Sequence, residues 1–256
     1  MENNLKVEDI LYRVSRPDIR DYIYEPSGQE LRPAVDLREW AGLIEDQAYL
    51  GSCSGNATVS AYELMVKRLY PDYWTNLSRL FVYYNARIYE GTVDEDSGAT
   101  IRNTMKGLAK YGVCKETLWP YNINKYAIVP STEAYAEALH RKITKYQRMT
   151  SIEHILDAIN TYYPVVSGVL IYESFLELNS QDPVMAQKSS TDYIAGGHAI
   201  TIIGYDLGTE QFLVENSFGP TWGMGGYCYM PFEYARQNLL ENWIFDIPNQ
   251  ETTLTT

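Results

Sequence analysis

Cysteine and histidine are scarce in this chain, with three of each among 256 residues. Three cysteines, one of them kept for chemistry, leave at most one bridge, Cys114 to Cys228. That excludes the cross-linked scaffolds of small secreted domains and fits a reducing compartment. No CxxC or HExxH spacing occurs and no loop gathers carboxylates, so no metal and no cofactor is expected. Basic residues are outnumbered, 21 against 33 acidic, and the formal net charge is −12. A surface of that sign repels nucleic acid and anionic lipid, so neither is an expected partner. No apolar run reaches the roughly 20 residues that span a bilayer. Met1-Glu2-Asn3-Asn4 has neither the basic nor the apolar part of a signal peptide. The sequence reads as soluble, and as cytoplasmic or released by a route other than general export. No low-complexity linker divides it, and 45% apolar residues suffice for one core or two closely packed lobes.

What is present gathers around one thiol. In Asp46-Gln47-Ala48-Tyr49-Leu50-Gly51-Ser52-Cys53-Ser54-Gly55-Asn56-Ala57, two small residues form a turn before Cys53. Ala57, Ala61, Leu64, Met65 and Leu69 follow at helical spacing, so a helix is predicted to start at the thiol. There the unpaired backbone N–H groups and the positive end of the helix dipole favour a thiolate. Gln47, six positions earlier, is near enough for its amide to join the Cys53 N–H around a developing oxyanion.

A thiolate nucleophile needs a proton partner. His198 sits in an apolar run, Ala195 to Asp206, where Gly196 and Gly197 let the backbone crowd the site. A second strand, Gln211 to Asn216, follows a five-residue connection, so the two should pair antiparallel and set Asn216 beside His198. Cys53, His198 and Asn216 then make a nucleophile, a base and an orienter.

Asp46-Gln47, Gly51-Ser52-Cys53, Gly197-His198-Ala199 and Asn216-Ser217-Phe218-Gly219-Pro220-Thr221-Trp222-Gly223 stand in the order found in papain-like cysteine peptidases. The spacing from Cys53 to both partners suits that family as well. The form Leu-Gly-Ser-Cys-x-Gly-Asn-Ala is similar to a branch common in bacteria and archaea. The resemblance implies an α+β, papain-like two-lobed fold. Its helical lobe covers about 36–122 and an antiparallel β-barrel-like lobe about 123–247, with the cleft between them. It implies a cysteine-type endopeptidase that hydrolyses peptide bonds in a peptide or protein substrate. Gly51, Gly98 and Gly197 would let the substrate backbone approach, and Ala99 and Thr100 would wall the main specificity pocket. An apolar or aromatic residue two before the scissile bond is expected there. Phe218 and Trp222 would cover the Asn–His hydrogen bond.

The chain also departs from the family. The usual cysteine three before the nucleophile is Leu50, so its structural disulfide is absent, and activity should survive reducing conditions. Ser54, Ala48 and Phe218 replace the usual aromatic, glycine and tryptophan. Two rival readings use the same residues: an acyl transferase or peptide ligase, and a non-catalytic peptide-binding protein.

Elsewhere, helices are predicted over Ser78 to Arg87, Ile101 to Tyr111, Thr132 to Met149 and Ser151 to Asn160. Strands are predicted over Val165 to Tyr172 and Gly226 to Met230. Residues 179–193 form a polar insertion bordering the cleft, and 248–256 a polar tail. Residues 1–34 read as an extension too short for a full propeptide. Its patch of Tyr22, Ile23 and Tyr24 should pack as padding along the β lobe, with a partial plug of the cleft as the second placement.

Overall fold

The helix that begins at Cys53, α1 (Cys53–Leu69), is the axis around which the other elements pack. The computed structural model describes residues 12–187 and 192–253. Thirteen residues of α1 are buried, so its sequence is small or apolar around most of its circumference and not along one stripe. On one side lie α2 (Arg79–Ile88) and α3 (Ile101–Tyr111). On the other lie β3 (Val165–Tyr172) and β4 (Ile194–Asp206).

Side-chain caps decide where the surrounding helices start. Ser78 accepts from the Phe81 N–H at 3.1 Å at the head of α2, and Thr100 from the Asn103 N–H at 3.1 Å at the head of α3. Ser131 and Ser151 cap α4 (Thr132–Ala138) and α5 (Ile152–Asn160) in the same way. Gly112 ends α3 at φ +75°, and a Cβ there would collide with the Ala138 carbonyl. The predicted helix from Thr132 to Met149 is therefore half right. After α4 and a 3-10 turn, Leu139–Arg141, the chain becomes strand β2 (Lys145–Met149). Its ladder with β7 (Leu239–Asp246) outweighs local propensity.

Among the described residues, seven antiparallel strands make the sheet. With β1 (Ala34–Asp36), β5 (Gln211–Glu215) and β6 (Tyr227–Pro231), its order is β2-β7-β3-β4-β5-β6, and β1 pairs with β4. The sheet does not close, which corrects the barrel-like expectation. Both outer edges are already occupied. Tyr24 donates to the Arg148 carbonyl and Arg148 to the Tyr22 carbonyl along β2. Met185 donates to the Tyr229 carbonyl and Tyr229 to the Pro183 carbonyl along β6. Edge groups satisfied in this way have no need of each other.

The extension is anchored over residues 22–32 on the β lobe, but of the patch expected to pack only Tyr24 is buried, while Tyr22 and Ile23 pair through their backbone and leave their side chains exposed. Asp157 of α5 accepts from the Tyr24 hydroxyl at 2.5 Å and the Ser27 amide at 2.8 Å. Asn160 accepts from the Arg32 amide at 3.0 Å. Part of the polar insertion, residues 188–191, lies outside the described residues. All three cysteines are free and buried, with Cys114 and Cys228 in separate core clusters. Among the described residues, no helix is long and apolar enough to cross a membrane.

Candidate active site

Cys53 is the first residue of α1 and is only 2% exposed. Backbone groups of Ala199, the residue after His198, and of Ser54 and Cys53 itself favour the charged form of its sulfur. That proximity brings the helix start and β4 together. The β4–β5 hairpin has the expected antiparallel register, ending at Thr201 opposite Glu215. Asn216 follows one step beyond, and its Oδ1 lies 2.7 Å from His198 Nε2. A carbonyl oxygen accepts only, so the imidazole carries its proton on Nε2 and keeps a lone pair on Nδ1.

Aromatic rings close over this pair. Phe218 lies 4.8 Å from the His198 ring, centroid to centroid, and Phe175 lies 5.8 Å away. Trp222 packs edge-on against Phe218 and donates its Nε1–H to the Phe175 carbonyl. The cover expected of Phe218 and Trp222 is present, with Phe175 as a member that no local pattern announced.

Gln47 is buried, and its side chain is oriented at both ends. Its Nε2 donates to the Leu50 carbonyl at 3.0 Å, and its Oε1 accepts from the Ser217 hydroxyl at 2.6 Å. The Leu50 carbonyl only accepts, so it fixes the donor end of the amide toward the turn before Cys53, and the Ser217 hydroxyl satisfies the other end. Gly98 sits at φ +68°, where glycine is favoured. Its N–H is given to the Tyr83 hydroxyl at 3.1 Å and its carbonyl accepts from Ser97 Oγ. Ala99 buries its side chain among Leu50, Leu80 and Phe81 in the helical lobe core.

Residues 31–242 match the papain family of cysteine proteases. The chain belongs to that family. It is 37% identical over 90% of its length to an uncharacterised peptidase C1-like protein of Acanthamoeba polyphaga mimivirus, covering 76% of that protein. Its fold superposes on xylellain, a cysteine protease from Xylella fastidiosa, with a TM-score of 0.86 and 32% identity, over 96% of this chain and 98% of that one. Procathepsin L 3 of Tenebrio molitor larval midgut shares the fold at a TM-score of 0.70 and 19% identity, over 95% and 76% of the two chains. The protein is a papain-like cysteine peptidase, and its substrates are peptides or proteins.

In this peptidase a residue of the extension packs beside the candidate site. Tyr12 packs against the cluster that holds Cys53, Val166, Ala199 and Trp243. Its ring leaves no room for side chains on the two glycines below it, since a Cβ on Gly197 would lie 3.0 Å from Tyr12 Cδ1 and one on Gly168 would collide with the phenol. The Tyr12 hydroxyl donates to Glu241, which is 2% exposed and also accepts from the Ser15 amide and the Trp243 indole. Arg102 then holds the segment from α3 through the Arg16 carbonyl and Asp21. Thus the extension runs along β2 and α5 over 22–32, and its Tyr12 lies over Gly168 and Gly197, next to His198.

Covered in this way, the thiol and imidazole are both pushed toward neutrality. Burial raises the Cys53 thiol to about 12 against the pull of the backbone donors, and burial lowers His198 to about 4 against its bond to Asn216.

A buried charge cluster stands behind Asn216. Arg79 of α2 pairs with Glu45 at 3.2 Å and with Glu63 of α1 at 3.6 Å, while Glu215 accepts from the Ser60 hydroxyl. Burial lifts Glu63 and Glu215 to about 7. An unfolded glutamate titrates at about 4.3, so between there and about 7 the native state binds more protons. Stability therefore falls as pH rises across that window. Glu215→Gln is expected to flatten part of this slope, keeping the thermal midpoint at pH 5 and raising it at pH 8. Thermal melts across that range check it, and a slope identical to wild type would refute it.

Proposed function

We propose that this peptidase hydrolyses internal peptide bonds through an acyl-enzyme on Cys53. The Sγ–H proton passes to His198 as sulfur bonds to the carbonyl carbon, and the carbonyl π pair moves onto oxygen. The oxyanion is held by the Cys53 N–H and the Gln47 amide. As the carbonyl reforms, the C–N bond breaks and His198 returns the proton to the amine. Water then adds to the thioester by the same route and releases the acid. Asn216 keeps the imidazole in the tautomer that leaves Nδ1 free for the first step. The observation that supports these roles most is the 2.7 Å bond between His198 and Asn216 under its aromatic cover.

The substrate main chain meets the enzyme at Gly51, Gly197 and the Gly98-Ala99 edge. Gly98 has committed its N–H to Tyr83, but its carbonyl takes only one bond, from Ser97, and keeps a second lone pair for a peptide N–H. The ring of Tyr12 against Gly197 supports a neighbouring pocket that takes an aromatic side chain, with Glu241 receiving its hydroxyl.

Mass spectrometry of the products from a mixed library of ten-residue peptides, with and without excess amine, tests this reading. Internal cleavage with free carboxylate ends is the expected outcome. Amine-ligated products dominating at neutral pH would instead make the protein an acyl transferase.

A further inference from the structure

The turn that carries the nucleophile has no covalent tie, because Leu50 stands where a bridging cysteine could have anchored it. Yet Leu50, Gly51, Ser52 and Cys53 are all buried and must hold one geometry for the thiol to meet a carbonyl. The anchor comes from the loop before α3. The Gly51 N–H points at the Asp96 carboxylate, 3.1 Å from Oδ1 and 3.0 Å from Oδ2. Asp96 Oδ1 also accepts from the Tyr83 hydroxyl at 2.5 Å, and that hydroxyl oxygen accepts from the Gly98 N–H at 3.1 Å.

Tyr83 is fully buried on α2, and its face is covered by the Arg87 guanidinium at 4.1 Å. Arg87 is itself 0% exposed and donates to the Val93 and Glu95 carbonyls, at 2.9 and 2.7 Å. The loop is thus gripped on both sides of Asp96, so the carboxylate has little freedom to follow Gly51 if the turn moves.

We propose that Asp96, relayed by Tyr83, is a positioning residue for the peptidase reaction, locking the nucleophile turn at Gly51 to the substrate-binding edge at Gly98-Ala99. A carboxylate suits this task because it is acceptor-only, and it offers Gly51 and Tyr83 separate lone pairs at once. The chain Gly51 N–H, carboxylate, phenol, Gly98 N–H spans the two backbone segments that must be in register when a peptide lies across them. The inference rests on the proposed role of Cys53 and of the Gly98-Ala99 edge.

The test compares two substrates on the full chain. One is a four-residue peptidyl amide chosen by cleavage profiling, which reaches the Gly98-Ala99 edge. The other is N-acetylglycine p-nitrophenyl ester, which does not. Tyr83→Phe keeps the Asp96–Gly51 contact and cuts the link to Gly98. It is expected to raise KM for the peptide about fivefold, a loss in the range of one hydrogen bond, and to leave ester turnover within twofold. Asp96→Ala releases both ends and should lower kcat/KM for the peptide at least tenfold more than for the ester. Asp96→Asn retains an acceptor and should recover most of that loss.

Equal losses on both substrates in every variant would overturn the proposal, because misfolding alone reduces active enzyme without changing their ratio. Unchanged kinetics in Asp96→Ala would overturn it too. A Cys53→Ala control assayed alongside separates the readings, since peptide cleavage surviving there removes the assignment of the nucleophile itself.

Discussion

Cys53→Ala is expected to fold normally and to cleave no measurable peptide. The side chain lost is a single buried sulfur, and alanine is the best helix former at the first position of α1. The stability cost should be about 1 kcal/mol or less. The kinetic cost is of another order, because without sulfur no covalent intermediate forms and His198 has no proton to take. Loss of the nucleophile in a comparable triad removes nearly all of the rate enhancement, so kcat/KM should fall by at least about 10³-fold. Circular dichroism and a thermal melt verify the fold, and progress curves with the profiled peptide measure the loss. A variant within tenfold of wild type would show that Cys53 is not the nucleophile.

Tyr12→Ala should move activity in the opposite direction. Tyr12 lies on Gly197, next to His198, and any peptide approaching the thiol along that wall must displace it. A plug worth about 1.4 kcal/mol lowers the open fraction about tenfold and weakens apparent affinity by the same factor. Truncating the ring should therefore raise kcat/KM about tenfold, mainly through KM. It leaves Glu241 bonded to the Ser15 amide at 2.8 Å and the Trp243 indole at 2.7 Å, so no buried carboxylate is stranded. Relief of burial should also lower the Cys53 thiol from about 12, and iodoacetamide should alkylate it faster at pH 6.

Deleting residues 1–28 is a harsher change. It removes Tyr12, but also Tyr24 and Ser27 from Asp157. That variant should be activated and less stable, at about 2–4 °C of thermal midpoint per kcal/mol lost. Activity in Tyr12→Ala at or below wild type would show that the segment is padding throughout.

The parts of the site legible in the sequence share one physical property: their geometry is local. The turn Gly51-Ser52 followed by apolar residues at helical spacing positions Cys53 through one helix terminus. The five-residue connection from Asp206 to Glu210 positions Asn216 through one hairpin. Where an element depends on a distant partner, the reading failed. Lys145–Met149 is a strand beside Leu239–Asp246, and the open sheet carries residues 22–24 and 183–185 along its edges.

The same distinction runs through the chemistry. The sequence by itself determined that Cys53 opens a helix and that Asn216 lies beside His198, since a turn of small residues and one short hairpin leave those side chains few alternatives. Only the tertiary structure decided what surrounds them. Gly51 and Asp96 are 45 residues apart, Ser217 and Gln47 are 170 apart, and Tyr12 and Glu241 are 229 apart. No periodicity links residues at such separations. Each pair exists because packing α1 between the helices and the sheet buries polar groups from remote segments together, and a buried polar group must find a partner there.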